Sequence, residues 1–165
     1  MDTLKQLKDE LTHEYQTTKK FFSQFPEAKN DYAPHEKSMK MMPLSRHIAE
    51  VFGWPEVILN TSDLDFAAGD NKPEPIEDKA ALEAKLDAEY QKGIAALDKA
   101  AESDLEPNWS ISMNGQKLAE WSKYGAIRHG LNQITHHRAQ LGTYYRQLEI
   151  PLPGSYGPSA DDQRF

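Results

Sequence analysis

Apolar residues recur along this chain at intervals of three and four, the period of a helix with one buried face. Leu4, Leu7, Leu11, Tyr15, Thr18, Phe22 and Phe25 draw the first stripe. They predict a helix over 2–25, capped by Asp2 and stopped by Pro26. Residues 27–42 are polar, contain Pro34 and read as a loop. Leu44, His47, Ile48, Val51, Trp54 and Ile58 form a second stripe, predicting a helix over 43–60 that Pro55 must kink or split. Residues 61–76 are rich in Asp, Gly and Pro and read as another loop. A third helix is predicted over 77–101, where Ala, Glu, Lys and Leu dominate and Leu82, Leu86, Ile94 and Leu97 give a thinner apolar face.

Residues 102–116 read as irregular, with a short extended piece at WSISM. The fourth helix is predicted over 117–148. Its seam, Ile127, Gly130, Ile134, His137, Leu141, Tyr144 and Leu148, repeats at alternating steps of three and four. Leu118 and Trp121 fall on another face of that predicted helix, placed to meet the loop before it or else a second subunit. Three prolines and two glycines make the tail after Glu149 irregular, lying along the surface. Together these elements predict one domain over 1–165, an all-α four-helix bundle. Its two longer loops leave room for crossover connections.

Charge and composition narrow the class. The 165 residues carry a net charge of -7, which argues against nucleic acid or an anionic membrane as the main partner. With no cysteine, the chain has no disulfide, thiolate metal site or cysteine nucleophile. The opening MDTLKQLKDE has no apolar leader, and no run approaches the ~18 apolar residues of a membrane span. The expected setting is the cytoplasm.

Two positions break the apolar pattern in the same way. His47 lies on the inner stripe of the second helix, and His137 on the seam of the fourth. His136, its neighbour, points about 100° away, towards a flank or solvent. Burying an imidazole without a partner costs roughly 1–3 kcal/mol. Two core histidines, each satisfied by a carbonyl or hydroxyl, are one explanation. A metal ion gripped by both rings is the other, because bundles build metal sites from inward side chains of facing helices.

A third donor is then required. Gln133 sits one turn before His137 and offers a neutral amide oxygen, a weaker ligand than imidazole for zinc or nickel. His129 is eight residues before His137, about 12 Å along the axis, too far to share one ion on a straight helix. Glu50, at the edge of the second stripe, is a candidate ligand, orienting partner or base, or else a solvated surface carboxylate. Tyr144 and Arg138 read as structural, with Arg138 and Gln140 reaching the tail or a neighbouring helix. His13 and His35 read as surface residues, and the charged third helix as a solvated face.

At these residues the chain resembles the DinB/YfiT-like family of small metalloenzymes. HHRAQ at 136–140 resembles the family's HHRGQ-type signature, PLSRHIAE the segment bearing its first histidine, and LEIPLPGSYGPSADD its tail. The resemblance covers most of the chain. It implies a bundle of up-up-down-down order, often dimeric. It also implies a divalent metal on three histidines, which map to His47, residue 133 and His137. Here residue 133 is glutamine. Family members of known activity join low-molecular-weight thiols to electrophiles or act as hydrolases. The function expected from the resemblance is therefore a metal-dependent transferase or hydrolase acting on a small molecule. The alternative is a non-catalytic bundle whose degenerate metal site binds a small ligand or a protein partner.

Overall fold

The structure is a computed structural model and describes residues 2–68 and 75–163. Among them the chain forms five α-helices and three β-strands: α1 (Thr3–Ser23), α2 (Met41–Val51), α3 (Trp54–Asn60), β1 (Asp63–Asp65), α4 (Lys79–Lys99), β2 (Asn108–Met113), β3 (Gln116–Ser122) and α5 (Lys123–Gln147). Four long helices make the body. α1 packs on α4 and α5, and α2 packs on the same two.

The helices form for the reasons their sequences supply. Asp2 caps α1 by accepting from the Lys5 N–H at 2.8 Å, and Asp78 caps α4 by accepting from the Ala81 N–H at 2.7 Å. The α1 stripe is buried, with Phe22 wholly inside. It meets Ile48, Phe52, Leu82, Leu86, Leu141 and Tyr145 in one continuous core. Each such side chain contributes roughly 1.5–3 kcal/mol through burial. The Tyr145 hydroxyl, deep in this core, donates to the Phe21 carbonyl at 2.9 Å.

The second stripe is split. α2 ends at Val51, and α3 starts at Trp54 with Pro55 in its first turn, where a missing N–H costs nothing. The break at Phe52 and Gly53 re-aims the chain and sets Trp54 beside the two histidine-bearing helices.

The expectation of an all-α four-helix bundle, up-up-down-down in order, is corrected. The chain is mainly helical, but β1, β2 and β3 form a mixed sheet beside the helices. β2 pairs antiparallel with β3, and β1 pairs parallel with β2. Residues 117–122, read as the first turns of the last helix, belong to β3, so α5 starts six residues late. The cause is the Asn114-Gly115 turn. Both residues have positive φ, 52° and 75°, as a tight hairpin turn requires. Asp65 pins that turn by accepting from the N–H groups of Asn114 at 3.0 Å and Gly115 at 2.6 Å. Strand β1 likewise lies inside the predicted loop 61–76, tied to β2 by Ser110 and Ser112, which both donate to Asp63. Residues 69–74 of that loop lie outside the described residues. Ser122 ends the sheet and caps α5, accepting from the Gly125 N–H at 3.1 Å.

Candidate functional site

α5 carries one row of polar side chains where its seam faces α2 and α3. Successive members are four residues apart, so they stack on one face. His129, Gln133 and His137 make the row. The Gln133 amide bridges its neighbours, with Oε1 2.8 Å from His137 Nε2 and Nε2 3.3 Å from His129 Nε2.

From α2, His47 meets this row. Its ring centre lies 4.7 Å from that of His137, with the two planes at 81°. Both rings are half-buried. Trp54, at the start of α3, stands edge-on to His47 at 6.3 Å and stacks over His129 at 6.5 Å. Trp121, at the end of β3, also stacks with His129, at 4.8 Å. His47 and Gln133 thus each lie next to His137.

The remaining predicted residues fall into place around them. His136 is exposed, and its ring packs edge-on to His137 at 4.9 Å. The side chain of Gln140 hydrogen-bonds within its own helix. Its Oε1 is 3.0 Å from His137 Nδ1, and its Nε2 is 3.2 Å from His136 Nε2. Glu50 pairs with Arg46 on its own helix at 3.4 Å. Arg138 is buried against α1, where it meets Glu14 at 2.6 Å and donates to Thr18 Oγ1 at 3.1 Å. Tyr144 donates to the Met39 carbonyl, a structural bond.

The electrostatics favour the neutral, ligating form of His47. Burial, reinforced by His137 and then Arg46, pushes its pKa from 6.5 down to about 4. At His137 two carbonyl oxygens, those of Gln133 and Gln140, face the two ring nitrogens. A neutral imidazole carries one N–H and serves one of them at a time.

Metal–nitrogen bonds of about 2 Å put two tetrahedral imidazole ligands with their ring centres roughly 5 Å apart. The separation of 4.7 Å between His47 and His137 matches. Zinc and nickel both accept imidazole nitrogen. The third donor is weaker, since Gln133 brings only an amide oxygen. Among the described residues no cluster of three or more His, Cys, Asp or Glu side chains could hold a metal ion. His47, His137 and Gln133 thus offer two strong donors and one weak one.

Sequence reasoning missed the part played by His129. It judged the residue only by its distance from His137. The spacing of four to Gln133 was the available signal. The stack with Trp121 was hidden because Trp121 had been placed on a helix.

A model of the DinB family matches residues 1–164. A DinB-like protein from Bacillus subtilis superposes with a TM-score of 0.71 at 19% identity, covering 96% of this chain and 99% of that one. A DinB-family member from Exiguobacterium sibiricum gives 0.68 at 17%, covering 90% and 93%. A DinB-like protein from Bacillus cereus gives 0.63 at 16%, covering 87% and 91%. No curated protein matches the sequence. The solved structures share the fold, and the family match spans nearly the whole sequence: this chain belongs to the DinB family.

Proposed function

We propose that this protein is a divalent-metal-dependent enzyme acting on a small molecule, as a thiol transferase or a hydrolase. His47 and His137 hold zinc or nickel, with Gln133 as a weak third donor. The observation that carries this reading is the 4.7 Å separation of two imidazoles brought together from α2 and α5. When bound, such an ion lowers the pKa of a thiol or water and yields a nucleophile at neutral pH.

The chain's own residues have distinct tasks in this scheme. His47 stays unprotonated and presents a lone pair. Gln140 Oε1 accepts the proton of His137 at Nδ1, which leaves Nε2 free to ligate. Trp54 covers the flank between His47 and His129 and keeps water from it. The thiol, in the transferase version, is a low-molecular-weight cosubstrate, since the chain has no cysteine to offer. The reading includes a cytoplasmic setting and, from the family resemblance alone, a homodimer that sedimentation velocity would test.

Tag-free protein should carry near-stoichiometric zinc or nickel by elemental analysis, and His47→Ala or His137→Ala should lose it. Protein that stays metal-free after supplementation would overturn the proposal. The second reading, a non-catalytic bundle with a degenerate site, is favoured by one fact. The Gln133 amide is already engaged at both ends, by His129 and His137. Gln133→His separates the two. A gain of orders of magnitude in affinity, from near zero, marks a decayed site, whereas little change marks a working one.

A further inference from the structure

We infer that His129 is a positioning residue: by accepting a hydrogen bond from the Gln133 amide, it turns that side chain's oxygen towards His137. The inference rests on the metal reading above for its consequence, and on hydrogen-bond geometry for its substance.

The two ends of a glutamine amide differ chemically. The oxygen has lone pairs that can ligate a cation, while the NH2 group only donates. Rotating the amide by half a turn exchanges them. Gln133 therefore supports an ion beside His137 in one orientation and repels it in the other. Its Nε2 lies 3.3 Å from His129 Nε2, and its Oε1 lies 2.8 Å from His137 Nε2. An imidazole nitrogen that carries no proton at this position selects the useful orientation.

The His129 ring is held for that task. Trp121 stacks on it at 4.8 Å with planes 24° apart, and Trp54 at 6.5 Å with planes 20° apart. One indole comes from the end of β3 and the other from the start of α3. The ring cannot turn without disturbing both. His129 hydrogen-bonds to Gln133, so its effect reaches the site through that amide. A ligand weakened by the change from imidazole to amide gains most from being held in place.

The test uses full-length, tag-free protein and Zn2+ as the probe. In the metal-free wild type, nitrogen-15 NMR should find the His129 proton on Nδ1 and a bare Nε2. His129→Phe keeps a stacked ring and removes the acceptor. It should weaken Zn2+ affinity, measured by chelator competition, by about 10- to 100-fold, while the thermal midpoint of the metal-free protein holds. His129→Gln returns an acceptor oxygen at similar reach and should recover most of that loss. A proton on His129 Nε2 in the wild type overturns the inference, as does unchanged affinity in the phenylalanine variant. If the wild type takes up no Zn2+ at all, the metal reading falls, and the nitrogen spectrum still decides the orientation of Gln133.

Discussion

His47 is the residue where burial, charge and chemistry meet. Its unfolded-state pKa is near 6.5 and its folded value about 4. Between these values the unfolded chain takes up a proton that the folded one refuses. Stability of the metal-free protein should therefore be unaffected by this group above pH 6.5 and fall as pH drops towards 4. The gap corresponds to roughly 3 kcal/mol at most. Urea titrations at pH 7 and pH 4.5 should show the loss, and His47→Phe should flatten that part of the slope. A variant that keeps the full slope would assign it to other groups. That an imidazole occupies this seam was plain from the residue pattern. Its depressed pKa was not, because the depression comes first from burial and then from His137, which the fold brings across from α5.

At the scale of elements, α4 shows packing overruling propensity. Glycine inside a helix costs about 1 kcal/mol against alanine, so Gly93→Ala looks stabilising on paper. A Cβ at Gly93, however, would stand 2.1 Å from the Phe52 carbonyl oxygen, a backbone atom that cannot swing aside. The substitution should destabilise the protein by about 1–3 kcal/mol, measured by urea midpoint. Stabilisation would mean that α4 and the α2–α3 corner part freely. The hairpin of β2 and β3 offers the contrast. A Cβ at Gly115 would meet nothing within 4 Å, so Gly115→Ala should cost only the 1–2 kcal/mol of a left-handed backbone. Helices α1, α4 and most of α5 were legible from apolar period and caps. Of the strands only β2 was legible, as the extended piece at WSISM; β1 and β3 were not, since no position of β3 is fully buried and Leu118 and Trp121 also suit a helical step of three. The Asn-Gly pair was the signal that should have outweighed them.

At the scale of the whole molecule, the buried pair of Arg138 and Glu14 joins α5 to α1, and the tail closes over it. Tyr156 donates to Glu14, shares a hydrogen bond with Thr135 at 3.0 Å, and lies 5.8 Å from the Arg138 guanidinium. Arg146 holds the tail further along, 2.7 Å from Asp161. Arg138→Met should cost about 3–5 kcal/mol, since it strands the Glu14 carboxylate in the interior. Adding Glu14→Leu should recover much of that cost in a double-mutant cycle. Simple additivity would instead show that the two charges act independently. A global effect of metal follows from mass action. Saturating Zn2+ should raise the thermal midpoint of the wild type and leave that of His47→Ala unmoved.

Periodicity in the chain was enough to define α1, α4, most of α5 and the stretch that Pro55 splits into α2 and α3, together with the inward placement of His47 and His137 and the outward placement of His136. These are local consequences of which residues must leave water, and each helix carries that information in its own repeat. The sheet, the corner that delivers Trp54, and the stacking of His129 with two indoles required the assembled molecule. They join residues from three or more separate segments, and no periodic signal along the chain encodes which distant side chains will meet.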